Sequence, residues 1–310
     1  MLKLSKFKPL VSVVIPTYNR SHLLERALKS VINQTYSNFE VIVVDDSSSD
    51  NTPLVVNSFN DKRIRYIRHE KNMGAVAARN TGIGAAKADY IAFQDSDDEW
   101  MPRKLEKQMR VFASAPENLG VVFTSYWLFE NGEKLYSPHE SLVKHPEGDM
   151  HNALLEGNFV NAPTSVVRRE CFEKAGYFES LPRLQEWGLW LRISKYYHFR
   201  HINEPLVNAY RQSDSISSDM NAFIAARKYI LSKYFDEISK KPKLLSQHYF
   251  EIGYALCLNR QIKAGRVYFY KAMQIYPFNT KLLLSNIVSF FGLETYNKLA
   301  ALYLRRSTKN

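Results

Sequence analysis

The first hundred residues alternate short, continuous apolar runs with helical patterns, and few architectures accommodate that order. VSVVIP (Val11 to Pro16) is mostly β-branched, as a strand buried on both faces requires. His22 to Gln34 follows, with Leu23, Leu24, Ala27, Leu28, Val31 and Ile32 at helical spacing. Glu40 to Val44, Ile64 to Ile67 and Tyr90 to Phe93 repeat the strand pattern. Between them, Ser49-Asp50-Asn51-Thr52-Pro53 supplies capping residues and a first-turn proline, and Ala75 to Lys87 reads as a helix. Another helix opens at Met101-Pro102 and runs to about Ala113. The β-α-β-α order predicts an α/β fold, a mostly parallel sheet with helices on both faces.

Ligands of such sheets gather beyond the carboxyl ends of the strands. Three polar clusters fall at those ends: Pro16-Thr17-Tyr18-Asn19-Arg20, Asp45-Asp46-Ser47-Ser48 and Asp95-Ser96-Asp97-Asp98. The last is the most telling, with three aspartates in four positions after YIAF. Carboxylates this close raise one another's pKa unless a cation compensates. Oxygen ligands alone suit a hard divalent ion such as Mn2+ or Mg2+, which keeps waters and phosphate oxygens in its other positions. The tripeptide D-x-D by itself is weak evidence, because most acidic loops are solvated turns; its place beside the other clusters gives it weight.

Farther along, VVFTSYWLFE after Gly120 and Thr164 to Val167 read as strands, with a short helix from Glu170 to Ala175. Glu186 to Tyr197 is an aromatic amphipathic helix, and Glu204 to Arg211 a strand entering the loop QSDSISSD. The domain boundary is placed there, giving a sheet domain over residues 1–218 and an all-helical extension over 219–310. Charge divides the same way. Of the 310 residues, the part through Asp219 carries 27 Lys+Arg against 27 Asp+Glu, and the remainder 15 against 4, the whole net +11. Within the extension, Ser246 to Asn279 places Gly253, Gly265, Ala272 and Pro277 as a tetratricopeptide-like helical hairpin would, although two ordinary antiparallel helices fit equally. Cys171 and Cys257 are far apart, which predicts no disulfide framework and fits a reducing compartment. The basic N-terminus lacks the apolar core of a secretory signal, and no apolar stretch approaches the length of a spanning helix.

Taken in order, VSVVIPTYNR, SNFEVIVVDDSSSDNT, NMGAVAARNTGI and YIAFQDSDDEWMP resemble the family 2 glycosyltransferases, nucleotide-diphospho-sugar transferases of the GT-A fold. The resemblance covers roughly Pro9 to Ser218. It implies a Rossmann-like mixed sheet and an inverting, metal-dependent transfer from a nucleotide-sugar, a UDP-sugar first of all. The loop Pro16, Thr17 and Tyr18 with Arg20, and Asp45 or Asp46, would hold the uracil and ribose; a helix cap is the alternative for the two acids. Asn72, Gly74 and Arg79 would line the nucleotide pocket, and Arg79 would reach a phosphate or pair with the aspartates. In the acidic loop with Ser96, Asp97 would bind the metal directly and Asp95 would contact ribose or a metal-bound water. Asp98 would touch the sugar or the acceptor.

The base of the family lies in an acidic pair before a W-x-L-W-L-R helix. Here the stretch is Gln185-Glu186-Trp187-Gly188-Leu189-Trp190-Leu191-Arg192, so Glu186 alone can take a proton. Trp187 would form an acceptor platform and Asn161 a further acceptor contact, with Trp190 in the core. Arg211 stands where relatives carry a loop closing over the diphosphate, and the histidine common shortly after it is missing.

Two other readings compete. A nucleotidyltransferase of related fold would want a glycine-rich loop after the first strand, and PTYNR has no glycine. A non-catalytic nucleotide-sugar-binding module with a partner-recruiting tail would not need Asp95, Asp97 and Glu186 together. Nucleic acid is not an expected partner, because the tail has no reader motif. In the tail, Lys298, Arg305, Arg306 and Lys309 alternate with Leu299, Leu302, Tyr303 and Leu304 after Ile287 to Leu293. That pattern suits an anionic membrane surface, and a basic helix packed on the sheet domain or pairing two subunits in a homodimer is the alternative. The expected setting is cytoplasmic, peripheral at the inner face of the cell membrane, with a glycan or lipid-linked acceptor.

Overall fold

Strands β1 (Val11–Thr17) and β2 (Phe39–Asp45) are buried at every position and lie side by side in parallel, Thr17 opposite Asp45. The structure, a computed structural model, describes residues 10–138, 143, 147–181, 183–212, 219–292, 294 and 296. β3 (Ile64–Arg68) extends the parallel set beyond β2, and β4 (Tyr90–Phe93) joins the other side of β1, Phe93 opposite Val14. The crossovers are α1 (Ser21–Ile32), α2 (Thr52–Ser58) and α3 (Ala75–Ala85). The strand order β3-β2-β1-β4 therefore reverses direction at β1, and the crevice this opens lies at the carboxyl ends of β1 and β4.

Beyond β4 the sheet becomes mixed. β9 (Ser165–Arg168) is antiparallel to both β4 and β6 (Leu119–Glu130), and β10 (His198–Tyr210) is parallel to β6. β5 (Glu99–Trp100) pairs with β10, as does β8 (Glu147–Gly148), while β7 (Glu133–Ser137) pairs with β6. This is the mixed, helix-flanked α/β sheet expected. Two boundaries differ: the helix expected from Glu186 to Tyr197 ends at Ile193, and β10 starts at His198 rather than Glu204. Pro205 has no N–H to give the ladder, so the register shifts on either side of it, and the strand resumes instead of beginning there.

Packing sets where α3 sits. A Cβ built on Gly82 would lie 2.3 Å from Val14 Cγ1, so only glycine lets the helix approach β1 this closely. On the same sheet, α4 (Lys104–Ala113) carries an unusual core residue. Lys104 is fully buried, its Nζ donating to Gln108 Oε1 at 2.8 Å and lying 3.9 Å from the Trp100 ring centre. Burial drives its pKa well below the usual lysine range. The Gln108 amide donates to the Val122 and Thr164 carbonyls, and the Trp100 indole to that of Pro163. This polar cluster fixes β5 against the turn Ala162–Thr164. The remaining helices of the unit are α5 (His151–Glu156), α6 (Arg169–Ala175) and α7 (Gln185–Ile193).

The chain divides into two compact units, and the second comprises 181–184 and the residues after Gln212. Its helices are α8 (Met220–Lys233), α9 (Phe235–Ser239), α10 (Pro242–Leu258), α11 (Ile262–Ile275) and α12 (Thr280–Val288). The Asp219 carboxylate caps α8 by accepting from the N–H groups of Asn221 and Ala222. α10 and α11 pack where Gly253 and Gly265 meet: a Cβ on Gly265 would fall 2.7 Å from the Gly253 carbonyl oxygen. Phe269, Ala272 and Leu282 are buried at the centre of this unit. Lys298, Arg305, Arg306 and Lys309 with their apolar neighbours, and Ser213 to Ser218 of QSDSISSD, lie outside the described residues.

Filling the gap beside β1 should be costly. Gly82→Ala is expected to destabilise the fold by about 1–3 kcal/mol through overpacking, seen as a lowered thermal midpoint; an unchanged midpoint would show that α3 can move away freely.

Candidate active site

The three polar clusters meet. Because β1, β2 and β4 run parallel, their ends reach one edge of the sheet, and side chains then tie the loops together. The Asp46 N–H donates to the Thr17 carbonyl at 2.9 Å, and the Asn19 N–H to Ser48 Oγ at 2.9 Å. The Asn19 side chain accepts from the Ser49 N–H at 2.8 Å. Asn19 and Ser47 both take positive φ, 50° and 70°, so each loop turns sharply out of its strand.

The acidic loop is held from within and by three arginines of two neighbouring helices, α1 and α3. Its turn closes through the Asp98 N–H to the Asp95 carbonyl and the Gln94 amide to the Asp98 carbonyl. Arg20, at the head of α1, donates to Asp97 Oδ2 at 2.6 Å. Arg26, one and a half turns on, donates to the Asp97 carbonyl and stacks 4.0 Å from the Tyr210 ring centre. Arg79 on α3 pairs with Asp95 Oδ1 at 2.8 Å. Burial, then the Asp95 charge, raises the Asp97 carboxyl above its usual range, while Arg20 and Arg26 pull it down. For Asp98, burial and then both neighbouring aspartates push the pKa well above the carboxylate range.

Arg79 joins this loop to a second carboxyl group. Its other terminal nitrogen donates to Gln185 Oε1 at 2.9 Å, which places the head of α7 beside Asp95. Glu186 follows on that helix and accepts from the Asn158 amide at 2.9 Å. Burial raises its pKa; Arg79 and the Asn158 bond oppose the shift, and the Asp95 charge adds to it. A carboxylate of raised basicity on one side and a pair of arginine-compensated aspartates on the other are the elements of a group-transfer centre.

Several expected contacts are placed differently. Asp45 is fully buried, accepting from the Ser48 N–H and the Tyr66 hydroxyl. Asp46, equally enclosed, accepts from the Met73 and Gly74 N–H groups and pairs with His69 Nδ1 at 2.7 Å. In this structure the two acids hold the loops after β2 and before α3 in shape. Gly74, at φ 89°, is what lets the chain turn into α3 over Asp46. Trp187 is fully buried with its indole donating to the Leu154 carbonyl at 2.7 Å, so it is core like Trp190 and offers no platform. Asp98 also turns inward, accepting the Tyr210 N–H at 3.1 Å. Arg211 pairs with Glu130 at 3.1 Å. Pro16 and Thr17 are buried at the end of β1, Ser96 is buried in the acidic turn, and Tyr18 and Asn72 are exposed. Asn161 caps the turn Ala162–Thr164, its carbonyl accepting from the Thr164 N–H and hydroxyl.

Gln185, Asn158, Arg26 and Tyr210 are the residues that sequence reasoning did not assign. Gln185 carried a signal, as the amide next to the single acid. Arg26 carried none, since its spacing on α1 is that of any surface arginine.

The donor set fits a divalent cation of modest demand. Asp95 Oδ2 and Asp97 Oδ1 carry no hydrogen bond among the described residues, which leaves one oxygen of each carboxylate to face an ion. No group of three or more His, Cys, Asp or Glu is placed to hold a metal among the described residues, so an ion here would complete its shell with other oxygens.

Comparison with known proteins shows the family and the fold. The model of "Glycosyl transferase family 2" matches residues 12–176. A UDP-Glc:alpha-D-GlcNAc-diphosphoundecaprenol beta-1,3-glucosyltransferase of Escherichia coli, WfgD, is 34% identical over 212 residues, 68% of this chain and 80% of its own. In fold the chain is similar to S. aureus TarS in complex with UDP-GlcNAc, at a TM-score of 0.68 and 20% identity over 95% of this chain and 91% of that one. It is also similar to a mannosyltransferase from Pyrobaculum calidifontis in complex with GDP-Man and Mn2+, at 0.56 and 19% over 94% and 87%. The family model covers more than half of the chain, and the mixed sheet has the fold of these neighbours, so the chain is a glycosyltransferase of the GT-A fold and belongs to family 2.

Proposed function

We propose that this enzyme transfers a sugar, with inversion, from a uridine-diphosphate donor to a hydroxyl of a lipid-linked or polysaccharide acceptor of the cell envelope. The observation that carries the reading is the Arg79 bridge, which sets Glu186 at the head of α7 next to the acidic loop. The acceptor class follows the Escherichia coli relative, whose name specifies a diphosphoundecaprenol-linked acceptor. The donor class follows that name and the UDP-GlcNAc complex of TarS.

In the step, Glu186 takes the proton of the acceptor hydroxyl as that oxygen attacks the anomeric carbon. The bond from that carbon to the diphosphate oxygen breaks, and the nucleoside diphosphate leaves with the electron pair. Arg20 and Arg79 hold the Asp97 and Asp95 carboxyl groups in place; Asn158 fixes the Glu186 carboxyl group. Asp97 and Asp95 would hold Mn2+ or Mg2+, and a bound cation supplies charge stabilisation to the leaving diphosphate.

Nucleotide-sugars screened by thermal shift with and without Mn2+, followed by turnover of the donors that bind, test this reading. A Glu186→Gln enzyme should bind donor normally and lose about a hundred- to ten-thousand-fold in kcat, whereas wild-type turnover would remove Glu186 from the base role. Asp97→Ala should abolish the Mn2+-dependent part of the donor shift, and retention of that part would dismiss Asp97 as a ligand.

The pH profile gives a further check with a definite sign. A raised Glu186 pKa places the acid limb of kcat/KM above the ordinary carboxylate range, activity rising as the group loses its proton. The Asn158 bond favours the carboxylate. Asn158→Ala should therefore move the limb to higher pH, and a shift to lower pH would contradict the geometry.

A further inference from the structure

α12 and the turn that ends it present an apolar face to solvent. Leu283, Leu284, Ile287, Phe290 and Phe291 follow helical spacing and are between 41 and 68% exposed. The opposite side of the same segment is anchored, with Leu282 and Ser289 fully buried. Arg266 of α11 fixes the aromatic end, donating to the Ser289 carbonyl and hydroxyl and stacking 4.1 Å from the Phe290 ring centre. An outward row of large apolar groups on a firmly held helix is a contact surface in search of an apolar medium.

Charge decides the medium. From Pro277 to Gly292 there is no acidic residue, and the segment carries Lys281. Lys263 and Lys271 are exposed on α11, and residues 220–310 hold 15 Lys+Arg against 4 Asp+Glu. Two copies meeting through this face would bring two positive surfaces together. An anionic bilayer offers the complement, acyl chains for the apolar row and phosphate headgroups for the lysines. No described helix is long and apolar enough to cross a membrane, so the contact would lie in the plane of the interface.

We infer that the α12 face, centred on Leu284, Ile287 and Phe291, docks the protein on the surface of a membrane containing anionic lipid. The docking needs no donor or acceptor, and its measurement is independent of sugar transfer. The full chain is sedimented with vesicles of phosphatidylcholine alone and with vesicles of equal parts phosphatidylcholine and phosphatidylglycerol. Binding to the anionic vesicles should exceed that to the neutral ones by at least about tenfold. The double variant L284S/F291S should lose about tenfold of it with an unchanged thermal midpoint, as expected for exposed positions. K263Q/K281Q, which leaves the apolar row intact, should weaken the anionic binding alone. Equal recovery of wild type and L284S/F291S on anionic vesicles would overturn the inference. So would equal binding to the two vesicle types, or a dimer in solution that L284S/F291S dissociates.

Discussion

Three carboxylates within one tight turn repel one another, and the structure of the site follows from how that repulsion is offset. The compensating charges come from elsewhere in the chain: Arg20 at the head of α1, Arg26 farther along it, and Arg79 on α3. Each can reach the turn only because β1 and β4 are adjacent and parallel, so that the helices following β1 and β3 begin near the same edge. The close fit of α3 on β1 at Gly82 belongs to the same requirement, since Arg79 lies one turn earlier on that helix. Sheet topology and site electrostatics are thus one problem solved once.

Much of this could be read from the residues. Continuous apolar runs such as VSVVIP mark buried parallel strands because neither face meets water, and polar residues closing those runs must then collect at one edge. The acidic loop, PTYNR, VDDSS and Glu186 were legible for that reason. What was not legible is orientation. For Asp45 and Asp46, acids at a strand end can turn either way, and in the structure both accept from backbone N–H groups, those of Ser48, Met73 and Gly74. Trp187 and Trp190 are three apart on one helix, and nothing in the local pattern says that both indoles find buried carbonyls, those of Leu154 and Val160. Lys104 is the extreme case, an apparent surface lysine at a helix start that lies in the core on Gln108 and Trp100.

The helical unit was legible in kind and less so in surface. Gly253 and Gly265 mark a close helix crossing in the sequence as in the structure. The basic surplus was equally plain, but the face it accompanies became visible only when α12 was seen to bury Leu282 and leave Leu283 and Leu284 outside. Adjacent leucines cannot share one side of a helix in full, and tertiary packing chose which of them to hide.

The Arg79 bridge has a bearing on the range of ions the site would tolerate. Gln185 gives Arg79 a neutral oxygen, so the guanidinium charge stays with Asp95 undivided. The centre accordingly carries one negative charge fewer than it would with an ionised glutamate at position 185. Its attraction for any divalent ion would be weaker, its discharge on product release easier, and a higher free metal concentration would be needed to fill it.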